Sequence, residues 1–449
     1  MPPVKMINDP VHGTIRLEGP MVELASTPEM NRLSQIRQLG LAYLVFPGAH
    51  HTRFEHSLGA MHVAGLLGSS MCLDPKEVLL LRCAGMLHDL GHGPFSHTME
   101  NLFKDRLHKD HMELTRDIIT GEASPWDLDW WDSDWKDLSR GRDIPTILEG
   151  ADLSPKEVAA LVCQEGRSGD GPQKVLGVED GQAFFPSKLY LFQVIHSPLD
   201  ADQLDFLLRD SHYSGVAYGI IDLDRIVATA TLHHGEFMVH RRGISALEGM
   251  LVARSLMYSS VYFHKTARIA ECMLCRAGDH LSDEALERVW GMTDGEVLRF
   301  MRDQGGLAGK IATMLRFRQL FKSALRIDSE AIAGNDEASL PLKTMTKDLW
   351  DERERRRTEK EIERKASVQE GTVIIDVPDP GLTLSEPRLK RTDVKVLGDR
   401  PALLSTISSL ARALQRRPPV PWCLMVSCPA ADREAVAKVA KKVLIDDRP

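Results

Sequence analysis

The chain has 449 residues, 43% hydrophobic and 27% charged, which is enough apolar content for two or three packed domains. Its net charge of -8 argues against bulk binding of nucleic acid, and no run of 18 apolar residues marks a membrane span. The opening MPPVKMINDP lacks the apolar stretch of a signal peptide, and seven cysteines, an odd number, suit a reducing cytosol better than a disulfide framework, so a cytoplasmic location is expected.

Helical periodicity dominates residues 1–345. The stretches 28–40, 56–71 and 75–91 place apolar residues three and four apart. Residues 121–190 break this texture and read as an insertion. Four of the seven tryptophans lie there, between 126 and 135, interleaved with aspartates. They are expected to pack their indoles on the core, or else to form a lid or partner surface. The segment 197–215 reads as a helix with Ser197 as N-cap and Pro198 in the first turn, ending near Gly215. Residues 244–277 contain no proline and read as one long helix. Cys272 and Cys275 form a CxxC without a second pair nearby, so they read as core. Residues 347–365 carry both signs of charge at helical spacing and read as a solvated helix or linker. After them GTVIIDV, TDVKVLG and PWCLMVS read as strands. RPALLSTISSLARALQRR and ADREAVAKVAKKVLI read as helices. The expected fold is mainly α with a small C-terminal α/β appendage. The expected divisions are a core over 1–280, a helical extension and charged linker over 281–366, and the appendage over 367–449.

Nine of the 17 histidines fall between residues 50 and 111. Histidine has middling helix propensity and is awkward to bury, so packing explains this poorly. Metal binding or acid–base chemistry near neutral pH explains it better. The centre is LHDLGHGPFSHTME, residues 87–100. Adjacent His88 and Asp89 can both turn onto one ion at a helix end, with Gly91 and Gly93 allowing a sharp turn behind them. A His/carboxylate set without cysteine favours Fe, Mn, Co, Ni or Zn over Ca. Downstream, Asp202, Phe206 and Asp210 share one helical stripe at i, i+4 and i+8, which can bring a carboxylate to the histidines. Asp200 and Asp205 read as solvated or capping.

With His56, His88-Asp89 and Asp202 in this order, the chain resembles the HD-domain metal-dependent phosphohydrolases. NDPVHGTIRL, TPEMNRLSQIRQLG, YLVFPGAHHTRFEHSLG, HDLGHGPFSH and RSLMYSSVYFHK narrow the resemblance to the deoxynucleoside triphosphate triphosphohydrolases, over roughly residues 4–280. The resemblance implies metal ligands His56, His88, Asp89 and Asp202. It implies His97 as the catalytic histidine with Glu100 orienting it and holding it protonated, and His92 and His111 facing the phosphates. Arg53 would contact phosphate and base, Gln38 and Leu39 the sugar, and Asp210 the substrate. Arg254, Tyr258 and Tyr262 would line the far wall, with Tyr262 crowding the 2′ position. The implied reaction converts a dNTP to deoxynucleoside and tripolyphosphate. The implied cofactor is a divalent transition metal, with Mg as an addition, and the implied partners are a nucleotide and further copies of the chain in a dimer or tetramer.

Departures bear on substrate identity. Gln203, Phe206 and Phe263 stand where the vertebrate branch of the family has lysine, tyrosine and glutamine, and Met112 stands where glutamate is usual. Ser26 and Ser34 replace an aspartate and an arginine that read a guanine regulator, so GTP activation is expected to be absent. Competing readings are an HD-type 5′-nucleotidase or phosphodiesterase, and a non-catalytic nucleotide sensor.

Overall fold

The structure, a computed structural model, describes residues 4–108, 110–124, 142–163, 178–179, 182–183, 188–333, 340–378, 393–415 and 420–446. The tryptophan-rich stretch 126–135 lies outside them. The protein is mainly α, with small sheets and a C-terminal α/β region. Its contacts divide it into two units. The first comprises Met1–Arg254, Asp283–Val297 and Arg391–Gln415; the second comprises Ser255–Ser282, Leu298–Lys390 and Arg416–Pro449.

The first unit opens with an antiparallel hairpin, β1 (Val4–Asp9) and β2 (Gly13–Glu18), in register from Val4↔Glu18 to Asp9↔Gly13. Ile15 and Leu17 are buried while Val4 and Met6 are exposed, so one face of the hairpin docks and the other does not. Helix α1 (Arg53–Ser70) starts on a capping box in which Thr52 and Glu55 satisfy each other's backbone donors. Helix α2 (Pro75–Leu87) starts the same way on Asp74 and Glu77, with Pro75 in its first turn. The two helices pack closely, Gly85 against Ala60 and Met61 and Gly68 against Leu81, and Leu58, Met61, Ala64, Leu81, Ala84 and Gly85 are all buried. Each such leucine or methionine contributes about 1.5–3 kcal/mol by leaving water. Helices α3 (His97–Leu107) and α4 (His111–Thr120) follow; Asp110 and Glu113 cap the latter and Gly121 ends it in the left-handed region.

Helix α5 (Ala201–Ser214) begins later than its sequence suggests. Ser197 is not its N-cap. Asp200 is, because its carboxylate accepts from Gln203 N at 2.9 Å and from Ser197 N at 3.0 Å. Residues 28–40 are helical only to Gln35, after which Ile36 is extended. The predicted helix 244–277 is also interrupted. Helix α6 (Ile244–Met257) gives way to a π-helical turn, Tyr258–Tyr262, and His264 then caps a fresh helix, Lys265–Asp279. Ser259 Oγ donating back to Ser255 O and Leu256 O marks the loosened turn. A four-stranded sheet completes the first unit. β3 (Ala230–His233) and β4 (Glu236–His240) pair antiparallel, β4 pairs parallel with β5 (Lys395–Leu397), and β6 (Pro401–Leu403) closes the edge. Residues 401–403 are thus strand, and among the described residues of that predicted helix 404–407 and 409–415 are helical.

In the second unit, strand Trp422–Cys428 is flanked by Lys322–Asp328 and Ile374–Asp376, both antiparallel. The charged stretch around 347–365 is neither linker nor freely solvated. It forms the helix Glu352–Ala366, which buries Thr358, Glu359, Ile362 and Glu363. Its carboxylates replace the sheet partner that the edge strand lacks: Glu363 accepts from Val373 N and Glu359 from Ile375 N. Glu359 also pairs with buried Arg276 at 2.6 Å. Cys272 and Cys275 are free thiols, each half-buried and so not fully in the core as expected, and their partial burial pushes them above the usual range. Among the described residues no helix is long and apolar enough to cross a membrane.

Candidate metal centre and histidine pocket

Four side chains from three helices converge in the first unit. His56 lies one turn into α1, His88 is the C-cap of α2 with Asp89 behind it, and Asp202 is in the first turn of α5. His56 Nε2 lies 3.3 Å from His88 Nε2 and 3.1 Å from Asp202 Oδ1, and His88 Nε2 lies 3.2 Å from Asp89 Oδ1. Donors bound at about 2.1 Å and at right angles around one ion sit about 3.0 Å apart. These three spacings are close to that value; His56 Nε2 to Asp89 Oδ2 at 3.8 Å and His88 Nε2 to Asp202 Oδ1 at 3.9 Å are longer, and the donor types, imidazole and carboxylate, fit a divalent transition ion. Both imidazoles are already tied through Nδ1, His56 to Asp205 Oδ2 at 2.7 Å and His88 to Gly85 O at 2.9 Å, which leaves each Nε2 as the available donor. Burial opposes charge on Asp89, but Arg53, His88 and His56 outweigh it and hold the carboxyl at about 2. Burial likewise disfavours a charged His56, but hydrogen bonds with Asp202 and Asp205 raise it to about 10.

Beside this group lies a second one. His97, at the start of α3, donates from Nδ1 to Glu100 Oε2 at 2.9 Å, and the other oxygen of Glu100 takes His111 Nδ1. His92 stacks on His111 with centroids 4.2 Å apart and meets the His97 ring edge-on at 4.8 Å. His92, His97 and Glu100 could themselves gather around an ion. Burial and the nearby cations Arg53 and His111 keep His92 well below 6.5, so it is neutral. Burial also works against charge on His111, but Glu100 prevails and raises it above 6.5; the same pairing holds Glu100 well below 4.5. The stabilisation from His111 is complete below pH 6.5 and is lost as pH rises through its raised value. That from Glu100 is present above pH 4.5 and is lost as pH falls through its lowered one. We therefore expect Glu100→Gln to bring the His111 titration midpoint, followed by imidazole proton NMR, down to 6.5 or below; an unmoved midpoint would remove Glu100 as its partner.

The connecting loop 88–96 is held from all sides. The buried guanidinium of Arg32 donates to Leu90 O and His92 O, Trp290 Nε1 donates to Gly91 O, Thr115 Oγ1 accepts from Gly91 N, and Asp294 accepts from Phe95 N. The glycines serve differently from the sequence reading. Neither Gly91 nor Gly93 has positive φ; a Cβ on Gly91 would lie 2.1 Å from His111 O, so Gly91 is there for close approach of α4. The left-handed residues are Phe95 and Ser96, with φ of 55° and 54°. Ser96 Oγ donates to Arg37 O and accepts from Arg53 Nε.

Arg53 also reaches Asp89 at 2.6 Å, and its Nη2 is buried with no hydrogen-bond partner among the described residues. Gln38 Oε1 is in the same condition, while its backbone N–H donates to His51 O; Leu39 follows it, partly buried. Asp210 does not join the metal group but accepts from buried His51 at 2.7 Å. Arg254 is buried at the end of the first unit. Tyr258 and Tyr262 belong to the second unit, where their rings meet edge-on at 4.9 Å. Of the clustered histidines, His50 and His108 are exposed and stand apart from this site. Asp205 is the residue the sequence reading misplaced. It is neither solvated nor capping but fully buried, bonded to His56, His12 and Arg209. Its signal was available: Asp205 and Arg209 are an i, i+4 pair on the inward side of an amphipathic helix, where a charge needs a partner.

A helical scaffold that gathers two histidines and two aspartates in this order defines a metal-dependent phosphohydrolase of the HD type. The HD domain model matches residues 53–187 and the HD associated region model matches residues 221–448. The chain belongs to the HD-domain phosphohydrolases. It is 33% identical over 284 residues to a protein of Methanocaldococcus jannaschii, covering 61% of this chain and 49% of that one. It is 29% identical over 290 residues to the human deoxynucleoside triphosphate triphosphohydrolase SAMHD1, covering 61% of this chain and 44% of that one. The chain thus spans about half the length of the curated relatives it matches. A crystal structure of an Aquifex aeolicus protein superposes with a TM-score of 0.64 at 25% identity, covering 98% of this chain and all of that one.

Proposed function

We propose that the protein hydrolyses deoxynucleoside triphosphates to deoxynucleoside and tripolyphosphate. The observation that carries this reading is the pairing of a four-donor group (His56, His88, Asp89, Asp202) with a separate imidazole group built on Glu100. Fe, Mn, Co, Ni or Zn held by the first group, with Mg as an addition, would supply Lewis acidity and an acidified water. The protein's own residues do the rest. Arg53, with a spare buried N–H, and His111, shifted toward its charged form by Glu100, neutralise phosphate oxygens. His97, tied through Nδ1, has Nε2 left to protonate the leaving 5′-oxygen. Gln38 Oε1 is an unused buried acceptor suited to a sugar hydroxyl. Within the first unit, Arg254, Leu39 and Asp210 complete the substrate contacts in this reading. A dimer or tetramer is expected.

A second reading, hydrolysis of another nucleotide, is favoured by Gln203. This residue is fully buried and donates to Ser197 O, so it offers the phosphates neither charge nor reach. Ser26 and Ser34 tie their hydroxyls to Val22 O and Asn31 O. The test is to incubate metal-loaded protein with dNTPs, NTPs and monophosphates and to separate the products. Tripolyphosphate is expected from dNTPs, with no acceleration by GTP. Orthophosphate or a linear nucleotide would establish the second reading instead.

A further inference from the structure

The buried charges around Asp205 reach well past the metal group. Asp205 accepts four hydrogen bonds. Oδ1 takes His12 Nε2 at 2.6 Å and Arg209 Nη2 at 2.9 Å; Oδ2 takes His56 Nδ1 at 2.7 Å and Arg209 Nε at 2.8 Å. A carboxylate offers about four lone-pair positions, so this one is full. Arg209 uses its remaining reach on Asp9 Oδ2 at 2.8 Å. Asp9 in turn accepts from Val11 N and His12 N through Oδ1, which shapes the turn between β1 and β2. The side chains of Arg209, Asp205 and His56 are fully buried and that of His12 is nearly so. Gly59, one turn beyond His56, makes the approach possible: a Cβ there would lie 1.8 Å from Asp205 Oδ1.

We propose that His12 and Asp9, at the tip of the N-terminal hairpin, are positioning residues for the metal centre. The inference rests on His56 being a ligand. Asp205 fixes His56 as the Nδ1–H tautomer with Nε2 directed at the ion, and His12 and Arg209 hold Asp205 in place to do so. A carboxylate with all acceptor positions filled cannot swing toward the ion or rotate away from His56. Docking of the hairpin tip and metal affinity are therefore linked, and linkage is reciprocal: the bound ion holds the hairpin down as the hairpin sharpens the site.

The test measures Mn2+ affinity by calorimetry, and amide hydrogen exchange, on the full chain. His12→Leu is expected to weaken Mn2+ binding roughly 10–100-fold, the range for loss of an outer-shell partner. His12→Gln, with a donor at similar reach, is expected to recover most of it. In the wild type, Mn2+ is expected to slow exchange across residues 4–18, and in His56→Asn to leave it unchanged. Wild-type affinity in His12→Leu, even with lowered stability, would reduce His12 to a structural role and sink the coupling, as would equal loss in both His12 variants. Absence of any Mn2+ effect on hairpin exchange in the wild type would sink it without recourse to a variant. Undiminished Mn2+ binding by His56→Asn would instead remove His56 as a ligand.

Discussion

Asp202→Ala should eliminate metal-dependent hydrolysis while leaving the apo protein as stable as the wild type. Asp202 is the most accessible of the four donors, with its side chain 25% exposed, against 7% for Asp89 and none for His56. Removing it opens no buried cavity. Its charge opposes that of Asp89 nearby, so in the absence of an ion the repulsion relieved by its loss offsets the hydrogen bond that His56 gives up. We expect turnover to fall on the order of 1000-fold or more, because in the proposed reaction the ion that Asp202 would help hold would supply both polarisation of the phosphate and acidification of water. Thermal unfolding reads the other half. The metal-dependent rise in Tm, which follows the mass action of a ligand that binds only the folded state, should disappear, while the metal-free Tm stays within about 2 °C of wild type. A variant that keeps its metal-dependent Tm rise would remove Asp202 from the ligand set.

Arg209→Met should be the most damaging substitution for stability. It strips two hydrogen bonds from Asp205 and one from Asp9, leaving both carboxylates buried with too few partners. Breaking one partner out of a buried ion network costs about 3–5 kcal/mol. In a unit of this size that lowers Tm by roughly 10 °C. The chemical origin is checked with a second substitution. Asp9→Asn added to Arg209→Met should recover part of the loss, because one stranded charge is gone, so the two effects should fall short of their sum. Strict additivity in urea unfolding would show that Asp9 and Arg209 do not act as a pair.

These outcomes bear on what was legible in the sequence. The two aspartates at 200 and 205 look alike on paper, each beside an apolar run. Asp200 is a cap, as capping preferences suggest, and Asp205 is the linchpin beneath His56. The i, i+4 pairing with Arg209 marks Asp205 as a charge that needs a partner, but its place beneath His56 is set by His12 and His56, which are 193 and 149 positions away. The convergence of His88 and Asp89 was legible because both fall at one helix end. The glycines beside them were legible as necessary but not for the right reason. Close packing against α4 is a tertiary fact, and the left-handed strain falls on Phe95 and Ser96, which carry no sequence signal for it. The charged helix Glu352–Ala366 misled in a similar way. Its composition resembles a solvated surface, yet Glu359 and Glu363 serve as hydrogen-bond acceptors for a strand edge. The break at Tyr258–Tyr262 was invisible because no proline or glycine announces it.

The saturation of Asp205 also fixes an order of events during synthesis. His12, His56, His88 and Asp89 are all made before the ribosome reaches residue 90, and a histidine-rich segment could meet metal at once. It lacks the cage. The group that selects the tautomer of His56 and the residue that secures that group lie at 205 and 209, and their bonds span most of the first unit's length. Closing loops of that size is slow relative to forming local helices. Capture of an ion by the proposed ligands in that geometry would therefore be a late step, reached when α5 has emerged and packed on α1, and a bound metal would report completed folding, not nucleate it.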